Sequence, residues 1–210
     1  MTALLGFIIN VASAQNFSAD LKYVSDYFYR GVAKSEEAIQ SSIGLNTEAA
    51  GLNISAGAFT SQSVNAGSDS YQFTLGASKS FADDLVSLYG GLNHFEDVDG
   101  EAIFEFGLST SLNVLLNPTL NIFRSFEDEL FTWELAANHK FDLGFSNLCV
   151  HASYGESEVT EALEVDYYNV GALASKSISD NADLLLGADF IDSDSIDQEW
   201  VFSTGISINF

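Results

Sequence analysis

The sequence predicts an all-β protein, an antiparallel, up-and-down transmembrane β-barrel of about twelve strands. Three observations lead there. After Phe17 apolar and polar residues alternate almost everywhere, the period of a strand whose two faces meet different surroundings. The chain is 47% hydrophobic, yet it holds no run of 18 apolar residues from which a membrane-spanning helix could form. The polar face is mostly Ser, Gly, Asn and Thr, the small side chains that a narrow barrel interior accepts. A soluble sandwich would carry charge on that face in every strand.

The elements follow in order. Leu4, Leu5, Phe7, Ile8, Ile9 and Val11 form a short apolar run before Ala12-Ser13-Ala14 and Gln15. Residues 1–14 therefore read as a signal peptide with an A-x-A cleavage site, although no Lys or Arg precedes the apolar run. The barrel is expected over 15–210. In the first strand, 17–30, Asp20, Lys22, Asp26 and Arg30 share one face, while Leu21, Tyr23, Tyr27 and Tyr29 share the other. A helix would scatter those four charges around its circumference, whereas a strand sets them in a row.

Strand 38–48 opposes Ile39, Ile43 and Leu45 to Gln40, Ser42 and Asn46, and 52–61 opposes Leu52, Ile54 and Ala56 to Asn53, Ser55 and Gly57. Tyr71, Phe73 and Leu75 oppose Gln72, Thr74 and Gly76 over 70–81; Phe104, Phe106 and Leu108 oppose Glu105 and Ser109 over 101–112. In 130–141 Phe131, Trp133 and Leu135 oppose Thr132 and Glu134; in 145–155 Leu148 and Val150 oppose Asn147 and His151. Strand 182–191 sets Leu184 and Leu186 against Asp183, Gly187 and Asp189, and 198–210 sets Trp200, Phe202, Ile206 and Phe210 against Val201, Ser203 and Gly205. The alternation is less regular in 85–95, 118–124 and 165–178, and Arg124 falls on the apolar face, near a strand end.

Connections 31–37, 62–69, 96–100, 125–129, 156–164 and 192–197 are expected as longer loops on one rim, with tight turns such as 49–51, 82–84, 142–144 and 179–181 on the other. That asymmetry would put the long loops outside the cell and both termini on the periplasmic side. The same loops gather acids, among them Glu36, Glu37, Asp97, Asp99, Glu127, Asp128, Glu156, Glu158 and Glu161. Aromatic residues collect near strand ends, as headgroup-depth rings do. Tyr27, Tyr29, Tyr71, Phe131, Trp133, Tyr168 and Trp200 lie toward the loop rim, and Phe17, Phe81, Phe141 and Phe210 toward the turn rim.

Val24-Ser25-Asp26-Tyr27-Phe28-Tyr29-Arg30-Gly31 resembles the V-S-D-Y-x-F/Y-R-G first strand of the TorF-type porin family. Asn117-Pro118-Thr119-Leu120-Asn121, followed by Glu134 to Phe141, is similar to later strands of that family. The resemblance runs from about Phe17 to Phe210 and implies a barrel in the outer membrane of a Gram-negative bacterium with a pore role. This chain departs from the family in its acidity and in Val32-Ala33-Lys34-Ser35 after the R-G pair, so a solute is not carried over. The terminal Phe210 independently resembles the C-terminal signal read by the outer-membrane assembly machinery.

Charge and chemistry narrow the function. A formal charge of −23, from 30 acids against seven Lys and Arg, argues against nucleic acid as a partner. Cys149 is the only cysteine, so no intrachain disulfide forms. Among His94, His139 and His151 no metal, cofactor or nucleophile motif is present, and no enzyme is expected. His151 is expected in the lumen beside Ser153 and Cys149, with no partner carboxylate assignable from spacing. Asp192, Asp194 and Asp197 read as a solvated acidic loop.

The strongest constellation is the first-strand row Asp20, Lys22, Asp26 and Arg30, joined in the lumen by Glu105, Glu134, Lys140, Asp183 and Asp189. These charges either line a constriction that selects solutes or neutralise one another in a plug. The expected function is accordingly a porin-like passive channel for small solutes with a cation preference. The alternative is a non-conducting structural or surface-binding barrel. Expected partners are the lipid bilayer, the assembly machinery acting through Phe210, and small solutes or cations.

Overall fold

Twelve strands close into one antiparallel barrel in the computed structural model, which describes residues 16–98, 100, 102–127, 129–160 and 162–210. They are β1 (Asn16–Tyr29), β2 (Val32–Ala49), β3 (Leu52–Gly67), β4 (Ser70–Phe81), β5 (Val86–Asp97), β6 (Ile103–Leu112), β7 (Thr119–Ser125), β8 (Phe131–Asp142), β9 (Asn147–Thr160), β10 (Leu163–Ser179), β11 (Ala182–Ser193) and β12 (Ile196–Asn209). Each pairs with its sequence neighbour, and β1 pairs with β12 from Ser18↔Asn209 to Val24↔Ser203. The ladder continues to the chain end, where Phe17 and Phe210 exchange backbone N–H···O bonds at 3.3 and 2.9 Å. Closure leaves no unpaired edge, which a strand in hydrocarbon could not tolerate. The expected signal segment, 1–14, lies outside the described residues, as do Asp99, Asp128 and Glu161.

Period-two patterning becomes two surfaces. Leu21, Phe73 and Phe202 point outward at 55%, 55% and 58% exposure, within a belt that includes Ile43, Leu75, Phe106, Leu135 and Leu186. An apolar surface continuous around the molecule far exceeds what a water-soluble monomer exposes, and it is the surface lipid covers. The inside is small and polar. Gly57 abuts Thr74, Gly187 abuts Ser203, and Gly205 lies against the Lys22 stem. Three inward aromatic rings lie against glycines: Tyr89 on Gly76 and Gly91, Phe123 on Gly107, Tyr167 on Gly155. A Cβ at any of these glycines would strike the ring, so the glycines keep the rings against the wall.

Phe17, Phe81, Phe141 and Phe210 are exposed at the rim that carries the termini, hereafter the terminal rim. On the opposite, far rim Tyr168, Phe190, Trp200 and Phe202 form a chain of ring contacts across β10, β11 and β12. Arg124 points outward there and pairs with Glu129 at 3.1 Å, both largely exposed.

The structure corrects the expected loops. Residues 32–37, 62–67, 156–160, 163–164, 192–193 and 196–197 are strand, and turns of two residues at 30–31 and 194–195 close two far-rim hairpins. Loop length therefore does not distinguish the rims. Beyond the apolar belt both faces of a strand meet polar surroundings, so alternation fades while backbone pairing continues.

Candidate functional site

The first hairpin does not continue the wall; its tip turns inward. Val24 and Tyr27 are both buried, although residues three apart on a regular strand lie on opposite faces. Their neighbours on β2, Ala38 and Ser35, are likewise three apart and both buried. Two local irregularities make the change. Ser25 Oγ accepts the Phe202 N–H at 2.9 Å just where β1 stops pairing with β12. Glu37 takes φ +50 where β2 shifts register against β3. Such a bulge re-aims every side chain beyond it.

Two expectations are corrected by this bend. Tyr27 and Tyr29 do not join the outer aromatic ring: Tyr27 packs on Phe59 with centroids 5.9 Å apart, and Tyr29 stacks on Phe95 at 4.3 Å. Asp26 leaves the row of Asp20 and Lys22; it stands across from Glu36 and lines a separate far-rim pocket with Phe28 and Glu199.

At the tip, Arg30 and Gly31 take φ +50 and +78, the paired left-handed conformation of a two-residue hairpin turn. Gly31 suits it, whereas an arginine there is uncommon and held by its contacts. Gly31 O accepts from Ser193 Oγ at 2.7 Å and Ser195 Oγ at 2.6 Å. A Cβ on Gly31 would lie 2.7 Å from Tyr167 Cβ and 3.1 Å from Val165 Cγ1. Arg30 reaches the other way. Its Nη1 and Nη2 donate to Glu105 Oε2 and Oε1 at 2.8 and 2.6 Å, and its guanidinium lies 4.2 Å from the Phe123 centroid and 4.8 Å from that of Tyr29. One turn thus touches β10 and the β11–β12 connection on one side and β5, β6 and β7 on the other. The hairpin spans the lumen.

A second ion pair braces it. Lys34 Nζ donates to Asp97 Oδ2 at 2.8 Å, and Ser70 Oγ donates to the other oxygen at 2.6 Å. Sequence reasoning assigned both residues to loops. Glu105 is 2% exposed and receives a further bond from Asn93 Nδ2 at 3.1 Å. A carboxylate so enclosed requires its cation, because an unpaired buried charge is strongly disfavoured.

The remaining lumen residues are spread along the wall, with Asp20, Lys140, His151 and Asp183 toward the terminal rim. Glu134 accepts from Asn121 Nδ2 at 3.1 Å and from the Tyr167 hydroxyl at 3.3 Å. Asp20 accepts from Ser42 at 2.8 Å and Asp183 from Ser177 at 2.6 Å. Lys22 lies across from Gly205, and Lys140 across from Cys149. His151 Nε2 stands 2.6 Å from Asp189 Oδ1, so the histidine has the carboxylate partner that sequence spacing did not reveal. The contact passes over Gly171, where a Cβ would be 2.0 Å from Asp189 Oδ1. Among the described residues no three His, Cys, Asp or Glu side chains are placed to hold a metal ion.

No protein-family model matches the sequence, and neither does any curated protein. Solved structures share the fold. A KdgM porin, determined in complex with disordered oligogalacturonate, superimposes with a TM-score of 0.62 at 10% identity over 93% of this chain and 99% of its own. The NanC porin gives 0.62 at 9%, over 90% and 98% of the two chains. An outer membrane channel from Pseudomonas putida F1 gives 0.62 at 9%, over 94% and 95%. Likeness at such identities establishes a porin-like twelve-strand barrel, while activity resides in the lumen side chains.

Proposed function

We propose that this chain is an outer-membrane, porin-like passive channel for small solutes, cation-preferring, of the TorF-type family that its first strand resembles. The observation that carries the proposal is an apolar exterior around a lumen of small polar and acidic side chains. In this reading residues 1–14 direct export, the acidic far rim faces outward, the termini face the periplasm, and Phe210 is read by the assembly machinery.

The lumen charges give the ion preference. Arg30 is matched by Glu105 and Lys34 by Asp97. Against Asp20, Glu134, Asp183 and Asp189 stand Lys22 and Lys140, with His151 beside Asp189. A low-dielectric wall focuses that excess of negative charge and raises the local cation concentration. Polyanions such as the oligogalacturonate of the KdgM complex are disfavoured on the same ground. Arg30 and Tyr29 form the constriction through which a solute passes.

A non-conducting barrel is the second reading, and the hairpin lying across the lumen favours it. Reversal potentials in planar bilayers under a potassium chloride gradient separate the two. Potassium preference is expected, fading between 0.1 M and 1 M salt as the Debye length falls from about 10 Å to about 3 Å. Chelator should leave the preference in place, since it arises from lumen carboxylates. Anion preference, or the absence of any channel once the hairpin is released, contradicts the proposal.

A further inference from the structure

We propose that the Glu105–Phe123 face of the lumen wall is a guanidinium-binding site, occupied in this state by the chain's own Arg30. The inference rests on the channel reading and names its substrate class: small solutes bearing a guanidinium or a similar planar cation. The site is built without the hairpin. Glu105 is on β6 and is oriented by Asn93 of β5 at 3.1 Å. Phe123 is on β7, its ring laid against Gly107 so that one face looks into the lumen. Two parallel N–H···O bonds at 2.6 and 2.8 Å, with a ring face 4.2 Å from the guanidinium carbon, are the fork-and-stack geometry that selects a guanidinium over a compact ammonium.

The occupant is held differently from the site. Arg30 sits at a two-residue turn in the left-handed region, an uncommon conformation for arginine, whereas the wall residues lie in regular ladders. A cavity of about 80 Å³ adjoins the pair, lined by Arg30, Glu105, Ser125, Thr132 and Glu158. A free guanidinium reaching Glu105 would replace Arg30 donor for donor, so the turn behaves as a tethered competitor for the site.

The test measures binding apart from conduction. Isothermal titration of the detergent-folded full chain with methylguanidinium is expected to show no saturable binding in wild type, where Arg30 fills the site, and saturable binding in Arg30→Gly. Glycine removes the side chain and retains the turn conformation; Arg30→Asn, which also tolerates positive φ, is the second variant should the first fold poorly. Adding Glu105→Gln to either variant should weaken that binding at least tenfold, and methylammonium should bind at least tenfold more weakly than methylguanidinium. Absence of binding in both folded variants, or binding indifferent to Glu105→Gln, overturns the site. If binding follows the expected pattern while no variant conducts, the site stands and the channel reading falls.

Discussion

At the residue scale the molecule turns on what a single side chain can reach. Arg30 and Glu105 are 75 positions apart, yet two bonds of 2.6 and 2.8 Å join them across the lumen. Gly31 makes this possible, because no larger residue fits at φ +78 with Tyr167 Cβ 2.7 Å from where its own Cβ would be. Gly31→Ala meets both obstacles, and about 1–3 kcal/mol of strain is expected. The hairpin tip should leave its seat on β10, lowering the urea midpoint of vesicle-folded protein and raising hydrogen exchange at Arg30 and Val32. Unchanged exchange at those two amides would mean that the tip does not rest on Tyr167. Neither Glu105 nor Asp97 could be assigned a partner from sequence, since nothing local encodes a contact between strands so far apart. The His151–Asp189 contact escaped for the same reason.

Elements were far more legible than contacts. Alternation located all twelve strands because each crosses one apolar belt, and a single frame-shift would expose that whole face. It failed where that condition failed. Lys34, Ser35, Glu36 and Glu37 looked like a loop because no apolar face is needed beyond the belt, yet all four lie within β2, where Ser35 and Glu36 pair with both β1 and β3. The bend at Ser25 and Glu37 was hidden as well: it reverses the facing of Tyr27 and Tyr29 without altering the period on either side. The last strand carries its own expectation. Phe210 is 66% exposed and exchanges backbone bonds with Phe17, so an acidic side chain would face the lipid boundary at the seam that closes the barrel. Phe210→Asp should reduce outer-membrane levels several-fold and leave unfolded chain in the periplasm, as read by heat-modifiable mobility of membrane fractions. Equal levels would remove Phe210 from the assembly signal.

For the whole molecule, a barrel wide enough for twelve strands has room inside that wall side chains alone do not fill. This chain places a hairpin there and pins it with Arg30–Glu105 and Lys34–Asp97. If the chain conducts as proposed, conductance should depend on how firmly the hairpin is seated, and ion preference on carboxylates such as Glu134 and Asp20 that make no ion pair with it. Comparing single-channel conductance and reversal potential of wild type and Arg30→Gly in one potassium chloride gradient tests both statements together. Arg30→Gly should conduct at least twice as well as wild type and keep or strengthen the potassium preference, because a lumen cation has been lost. Equal conductance, or a channel that prefers chloride in either form, would contradict the account.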